Sequence, residues 1–307
     1  MYNVTMKKIY ILLVIALFVS FGVQIPSEAG IFAKQKAKIE QKKIYKSTLQ
    51  DIKNVILVQD KLANKHDYDG LYKLYSDNFV NSDGFDKETY FKLIEETWEV
   101  YPDISYTTEI KNIEFNDNYA TVFVKEIAVA APKEEIGEFT TIGELYSVSK
   151  CVYHLEKHGN NWFISSEKVI EETSTLKYGE ARYVDFELNT PKQIGSDKFY
   201  TVQLKADLPP QTIAVASISN EKIIYPQTKS EDAFRKMTGN SLERVFKSNS
   251  DSVNEYAVAS IGLTHTENYD EEHIKVYMSG LGFVMTRINV VPQNKFIKLE
   301  DKNEQNK

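Results

Sequence analysis

The stretch NKHDYDGLYKLYSDNFVNSDG, residues 64–84, decides how the first part of this chain is expected to fold. It lies between two segments whose apolar side chains recur every three or four residues, the spacing of an amphipathic helix. Within it, Asp67 or Asp69 is suited to cap a short helix that covers residues 70–79. That helix would place three aromatic rings on one face: Tyr72, Tyr75 and Phe79.

The segments on both sides extend this helical pattern. Residues 39–65 carry apolar side chains at helical spacing, with Lys, Asp and Asn between them. Asp86 is suited to cap a helix in KETYFKLIEETWEVY, residues 87–101. Pro102 would end that helix, because proline cannot continue it. The sequence therefore predicts three helices in succession.

After Pro102 the apolar residues alternate with polar ones, which is the period of a β-strand. Two hairpins are predicted, one turning at residues 116–118 and the other at residues 159–161, with a polar, Glu-rich loop at 132–141 between them. Their strands are YTTEIKNIEF (106–115), YATVFVKEIAVA (119–130), GELYSVSKCVYHLEKH (143–158) and WFISSEKVIEE (162–172). Three helices followed by an antiparallel sheet predict an α+β domain over residues 47–179.

A second, β-rich unit is predicted for residues 181–293. Several segments there alternate cleanly between apolar and polar residues, and Gly280 and Gly282 indicate a bulge in the last of them. One stretch, residues 230–249, has helical spacing instead. We therefore expect a β-sandwich-like domain with a helical insertion. The polar tail, residues 294–307, is expected to be flexible.

The N-terminal segment has the plan of an export signal. Lys7 and Lys8 precede an uncharged, apolar stretch, and Ser27 and Ala29 are the small residues at the −3 and −1 positions of a cleavage site after Ala29. The stretch is also nearly long enough to span a bilayer, so residues 1–29 are either a signal peptide or a retained anchor. A Lys-rich helical lead, residues 30–46, follows. The chain is expected to be periplasmic, secreted or anchored to the cell envelope, with membrane contact only through this segment.

Charge and cysteine content exclude several classes of protein. The net charge of −7 argues against a nucleic-acid-binding protein. Cys151 is the only cysteine, so no internal disulfide can form, and the thiol is expected to be a small buried residue. No P-loop, GxGxxG, GxSxG, HExxH or CxxC motif is present, so neither a cofactor nor a metal is predicted. Weak metal binding between His265 and His273 stays an alternative.

The N-terminal unit resembles the nuclear transport factor 2-like, or SnoaL-like, superfamily over residues 47–175. The resemblance rests on three stretches: HDYDGLYKLYSDNFV (66–80), DKETYFKLIEETW (86–98) and YHLEKHGNNWFISSEKV (153–169). It implies a cone, in which a bent sheet curls around three helices and leaves a cavity. The superfamily includes isomerases, dehydratases and cyclases that use an Asp, Glu or His as general base, and members without known chemistry. No catalytic motif carries over residue by residue.

Two sets of residues are candidates for a site in that cone. The ligand-binding candidates are aromatic, and their alternative role is to fill the base of the cone: Tyr72, Tyr75, Phe79, Trp98 and Trp162. The catalytic candidates sit in strands at the same parity as valines, and their alternative role is that of solvated side chains: Glu126, His154 and Glu156. Which role each has depends on which face of the sheet lines the cavity.

These observations favour an exported, envelope-associated bacterial binding or scaffold protein. Its cone would bind a small apolar ligand or form a homodimer, and its β-rich unit would contact an envelope protein. The alternative is a lyase, isomerase or hydrolase that acts in the cone with His154 or Glu126 as general base. A purely structural module of an envelope complex is a third hypothesis.

Overall fold

The computed structural model describes residues 28–136, 139–210, 212–227, 233–268 and 274–293. The chain separates into two units, Met1–Asp51 and Ile52–Lys307. The predicted signal or anchor lies almost wholly outside the described residues, and so do the predicted tail and His273.

Helix α1, Glu28–Ala63, contains all that is described of the first unit. The predicted basic lead lies in this helix, and its side chains from residue 35 to residue 47 are exposed. In the described part of the chain, no helix combines the length and the apolar character that crossing a membrane requires.

Two further helices follow α1 in the second unit. Helix α2, Tyr68–Tyr72, begins where the Asp67 carboxylate accepts a hydrogen bond from the Gly70 amide. Helix α3, Lys87–Val100, begins where Asp86 accepts one from the Thr89 amide. Both predicted caps are confirmed, since each carboxylate satisfies an amide that the first turn leaves without a helical partner.

The helix predicted for residues 70–79 is wrong. Helix α2 ends at Tyr72, and strand β1, Tyr75–Asn81, follows and pairs in parallel with strand β6, Asn161–Gly179. Tyr75 and Phe79 both point into the core, at 3% and 1% exposure. A spacing of four residues puts two side chains on one face of a strand as well as of a helix, so it could not separate the two.

The two predicted hairpins are confirmed. Strand β2, Ser105–Asn116, pairs antiparallel with strand β3, Tyr119–Ala130, and strand β5, Phe139–His158, pairs in the same way with β6. The loop predicted at residues 132–141 is wrong, because strand β4, Lys133–Ile136, pairs antiparallel with the start of β5. The polar side chains there do not prevent the backbone from continuing the hydrogen-bond ladder.

The rest of the chain is built from short and long strands. A 3₁₀ turn, Glu180–Tyr183, follows β6. The strands after it are β7 (Phe186–Asn189), β8 (Gln193–Gly195), β9 (Phe199–Ala206), β10 (Ile213–Lys222), β11 (Arg235–Lys236), β12 (Ser241–Lys247), β13 (Glu255–Asn268) and β14 (Ile274–Val291).

The predicted helical insertion at residues 230–249 is wrong for its described part. Strands β11 and β12 lie there, with Gly239 at a φ of +77° in the turn before β12. Strand β12 pairs antiparallel with β9, where Leu242 stands opposite Leu204. The ladder with β9 therefore outweighs a local helical spacing.

Most strands belong to one large sheet, in the order β11-β10-β13-β14-β6-β5-β3-β2, and β12, β9 and β7 form a second, three-stranded sheet. Most pairings are antiparallel and the helices are few, so the predicted α+β class is confirmed. The last residues of β6, Thr173–Gly179, pair with β14, so the large sheet continues across the predicted boundary near residue 180.

Two hydrophobic cores lie against this sheet. The first is formed by the helices together with β1, β2, β3, β5 and β6. The second is shared by the three-stranded sheet and by β10, β13 and β14. The sandwich-like arrangement of the second part stays a prediction, whereas the first core positions the candidate site.

Candidate functional site

A cavity of about 110 Å³ lies beneath the helices of the second unit, against the large sheet. Each of seven elements contributes to its wall. The lining residues are Gln59, Asp60 and Ala63 of α1, Leu71 of α2, Tyr75 of β1, Tyr90, Ile94 and Trp98 of α3, Tyr106 and Thr108 of β2, Glu126 of β3 and Tyr153 of β5. A cavity enclosed by three helices and a bent sheet is the arrangement that the family resemblance implied. The pairing irregularities in β2 and between β5 and β6 are of the kind that bends strands.

Glu126 contributes a carboxyl group from the sheet to the lining of this cavity. It has the same parity on β3 as Val122 and Val124, which are buried in the first core, so the alternation of the strand directs its carboxylate inward. The hydroxyl of Tyr153 donates a hydrogen bond of 2.7 Å to Glu126 Oε1. Burial raises the pKa of Glu126, and the negative charge of Asp60 raises it further.

Gln59 connects the helix side of the cavity with the sheet side. Its amide Nε2 donates to the hydroxyls of Tyr75, at 3.1 Å, and Tyr153, at 3.0 Å. Its carbonyl oxygen Oε1 is buried without a hydrogen-bond partner in the structure. An acceptor without a donor next to a cavity is a group that a ligand can satisfy.

A second carboxyl group lies behind the cavity wall. Glu167 of β6 is 6% exposed and stands opposite Tyr153 across the β5–β6 pairing. Burial and the charge of Glu126 raise its pKa to about 8, although a hydrogen bond from Tyr90 opposes the shift. Glu126, Glu167 and Cys151 each bring one ligand-type atom within 4.8 Å of the others. Since two like charges this close disfavour each other, the group holds protons near neutral pH.

The five predicted ligand-binding aromatics fall into three groups. Tyr75 and Trp98 line the cavity. Phe79 and Trp162 are buried in the first core and do not belong to the cavity lining. Tyr72 packs against the same core and carries Lys87 Nζ over its ring, 3.9 Å from the centroid.

Two of the three catalytic candidates point away from the cavity. His154 is exposed and lies on the face of β5 opposite Tyr153, where its Nδ1 is 3.3 Å from the hydroxyl of Thr121. Glu156 shares that face; it accepts a hydrogen bond of 2.6 Å from Ser76 and lies 3.0 Å from His158 Nε2. Of the two roles left open for these residues, neither has a place in the cavity lining, because Cys151, Tyr153 and Leu155 are the residues of this part of β5 that face the first core.

Several residues of the cavity were not among the sequence candidates. Asp60, Gln59 and Tyr153 lie on the inward faces of α1 and β5, where the apolar neighbours Ile56 and Leu155 could have indicated them. The apolar alternation of β6 does not indicate that Glu167 points inward. An irregularity in the β5–β6 pairing after His154 changes which residues of β6 face the core.

The arrangement can hold a compact molecule and can accept or hold one proton. Five of the twelve lining residues are aromatic, and Gln59, Asp60 and Glu126 supply amide and carboxyl groups. A carboxyl group with a raised pKa in such a setting can serve as an acid, a base or a hydrogen-bond partner. The absence of a metal and of a cofactor stays a prediction.

No protein-family model and no curated protein matches the sequence. Solved structures align with about two fifths of it. The Kfla4162 protein from Kribbella flavida aligns with 41% of this chain and 90% of its own, at 10% identity and a TM-score of 0.36. A hexachlorocyclohexane dehydrochlorinase, LinA-type3 from Novosphingobium barchaimii, aligns with 40% of this chain and 85% of its own, at 11% identity and a TM-score of 0.33.

A third structure, Bd1075 from Bdellovibrio bacteriovorus, aligns with 39% of this chain at 12% identity and a TM-score of 0.31, and the aligned part spans 39% of Bd1075. Identities this low concern fold and not activity. In the part of this chain that ends with β6, the helices, the sheet and the cavity between them have the arrangement that the resemblance to the nuclear transport factor 2-like, or SnoaL-like, superfamily implied.

Proposed function

We propose that the cone of this protein binds a small, largely apolar molecule, with Glu126 as its polar contact. The observation that supports this most directly is the cavity itself, which is lined by aromatic and aliphatic side chains and has carboxylates at one part of its wall. Binding sites for small molecules are typically concave, mostly apolar and supplied with a few polar groups that fix orientation.

The volume of the cavity limits the size of the ligand. About 110 Å³ is less than the ~150 Å³ of an engineered apolar cavity that binds benzene. A molecule of about five to seven non-hydrogen atoms is therefore the size we expect. The wall that includes Trp98 and Tyr106 belongs to α3 and β2, so both helix and sheet would contact such a ligand.

A cavity-filling substitution tests this proposal. Ala63 lies in the lining, and Ala63→Leu would occupy part of the space that a ligand needs. Calorimetric titration with phenol and tert-butanol is expected to show binding to the original protein and none to Ala63→Leu. Lys61→Leu is the matched control, since Lys61 is exposed on the same helix. Absence of binding of either probe to the original protein would refute the proposal.

A second candidate function is proton transfer, with Glu126 as general base. The raised pKa of Glu126 and its hydrogen bond from Tyr153 favour it. Incorporation of deuterium from D₂O into a small ketone such as butanone is the measurement. Exchange that is lost in Glu126→Gln and kept in His154→Ala would support catalysis, since His154 lies on the other face. Exchange no faster than in buffer would exclude it for this class of carbon acid.

We further propose that the protein acts outside the cytoplasm, where an envelope protein or a second copy of the chain is its partner. The support is the plan of residues 1–29 and the lone cysteine, which suits export without disulfide formation. Cell fractionation and the N-terminal sequence of the recovered protein test the location and the cleavage. Light scattering during size-exclusion chromatography distinguishes a homodimer from a monomer.

A further inference from the structure

The lining of the cavity combines hydrogen-bond acceptors with aromatic rings, and no described lining residue is a lysine or an arginine. We propose that the ligand class of this cavity is a small organic cation, an ammonium group on a compact apolar body. This inference rests on the proposed function, because it concerns the same cavity, and it specifies the charge of the ligand.

The aromatic side chains make the first part of the argument. Five of the lining residues are aromatic: Tyr75, Tyr90, Trp98, Tyr106 and Tyr153. The face of an aromatic ring carries negative electrostatic potential, and cages of such rings bind alkylammonium groups through cation–π attraction. The attraction strengthens as the cation loses its contact with water.

The acceptors make the second part. Asp60 and Glu126 present carboxyl groups to the cavity, and the carbonyl oxygen of Gln59 is a buried acceptor without a donor. The Asp60 carboxylate takes hydrogen bonds from the amide and the hydroxyl of Thr108, at 2.8 Å and 2.5 Å, and Glu126 takes one from Tyr153. An ammonium group is a donor with no acceptor of its own, so it complements this set.

Lys87, which lies beside two of the aromatic residues, does not compensate these carboxyl groups. Lys87 Nζ donates to the backbone carbonyl of Tyr75 at 2.8 Å and lies over the ring of Tyr72, and Lys87 is not a lining residue. Glu167 behind the wall adds a third acidic group on the same side. A cation in the cavity would allow Glu126 to ionise, because an opposite charge favours the charged form of a carboxyl group.

The same electrostatics exclude the opposite class of ligand. A carboxylate or phosphate in this cavity would meet Asp60 and Glu126 with no positive side chain in the lining to balance it. Like charges at such close range repel each other. A neutral molecule of the same shape would enter but would lack the charge-assisted hydrogen bonds.

Three probes of similar shape separate these cases: tert-butylammonium, tert-butanol and pivalate, titrated calorimetrically into the purified protein at pH 7.5. We expect the dissociation constant of tert-butylammonium to be at least about tenfold below that of tert-butanol, and pivalate not to bind. In Glu126→Gln the preference for the cation should fall to about twofold or less. Glu109→Gln is the control, since Glu109 is exposed on β2 and pairs with Lys111.

The outcomes distinguish this inference from the proposed function beneath it. Equal or tighter binding of tert-butanol than of tert-butylammonium would overturn the cation preference and leave a small-molecule cavity in place. A preference that survives Glu126→Gln unchanged would also overturn it. No binding of any probe would refute the small-molecule site itself.

Discussion

Asp83 and Arg287 form a buried, two-point ion pair that joins the segment before α3 to strand β14. Arg287 Nη1 donates to Asp83 Oδ2 at 3.0 Å, and Nη2 donates to Asp83 Oδ1 at 2.5 Å. The side chain of Asp83 is 5% exposed and that of Arg287 is 1% exposed. The amide of Asn254 donates to the same carboxylate at 2.7 Å. The pair therefore connects the cone with the strands that follow β6.

Removal of Arg287 is expected to destabilise the protein strongly. Arg287→Met leaves Asp83 buried without its cation and close to Glu172, whose pKa burial already raises. We expect the free energy of unfolding, measured with urea at pH 7, to fall by about 3–5 kcal/mol. The exposed pair of Lys222 and Asp251 supplies the control: Lys222→Met should change it by less than about 1 kcal/mol. Equal losses in the two variants would contradict this.

The acidic group behind the cavity wall predicts a dependence of stability on pH. The pKa of Glu167 is raised from 4.5 to about 8, so the folded state holds a proton that the unfolded state releases. Its contribution to stability is complete below about pH 4.5 and is lost as the pH rises towards 8. The pKa of Glu126 is raised as well, which adds a loss of the same sign.

Urea unfolding at pH 5, 6.5 and 8 measures this effect. The free energy of unfolding should decrease across the series, by at most about 1.4 kcal/mol per pH unit for each group. Glu167→Gln should flatten the decrease. Glu171→Gln should not, because ion pairs with Lys150 and Lys192 lower the pKa of Glu171, and a lowered pKa acts only at more acidic pH. A profile of Glu167→Gln parallel to that of the original protein would contradict the assignment.

Cys151 is expected to be unreactive in the folded protein. The residue is 2% exposed, and burial raises the pKa of its thiol, so little reactive thiolate forms. Alkylation by iodoacetamide at pH 8, followed by mass spectrometry, should be at least about 100-fold slower in buffer than in urea. A Ser82→Cys, Cys151→Ala variant carries an exposed thiol and should react at similar rates in both. Equal rates for Cys151 in buffer and in urea would contradict burial.

The sequence predicted the correct element where its pattern was compatible with a helix or with a strand but not with both. Strand β3 was predicted with its observed bounds, Tyr119–Ala130, because it is rich in β-branched and aromatic residues and follows a turn signal. Residues 70–79 and 230–249 were mistaken for helices because spacings of three and four there are compatible with both structures. What decides each case is a distant partner, β6 for the first and β9 for the second, and pairing across the sheet leaves no local trace in sequence.

A residue of the site could be predicted only where the sequence shows which face of its strand points inward. Glu126 follows two inward-facing valines on β3 and does line the cavity. On β5 the candidates His154 and Glu156 share their parity with valines, but Cys151 and Tyr153, which have the other parity, face the core. Alternation identifies which residues share a face but not which face is covered by helices. That requires the three-dimensional arrangement.

Removal of the Phe79 ring is expected to lower the free energy of unfolding strongly, although Phe79 lies in a short strand. Its ring is 1% exposed and meets Tyr75 edge-on, with ring centroids 5.0 Å apart. Phe79→Ala should lower the free energy of unfolding by about 3–5 kcal/mol, through lost burial and the cavity it leaves. Phe199→Ala, at a ring that is 73% exposed, should cost less than about 1 kcal/mol. Similar losses at both positions would contradict the packing.

The junction between β6 and β14 depends on a glycine at the end of β6. Gly179 has a φ of +57°, and a Cβ there would lie 2.3 Å from the carbonyl oxygen of Ser279. Gly179 also stands opposite Gly280 in the pairing of the two strands. A side chain at position 179 would therefore meet both backbone strain and a steric clash.

Gly159 in the β5–β6 turn provides a matched comparison, since its φ is +63° but a Cβ would meet nothing within 4 Å. Gly159→Ala should cost about 1–2 kcal/mol in urea unfolding, from backbone strain alone. Gly179→Ala should cost at least about 1–3 kcal/mol more, because the carbonyl of Ser279 must move and the β6–β14 ladder with it. Equal costs would show that the ladder accommodates a methyl group, and that the close approach of the strands contributes nothing to stability.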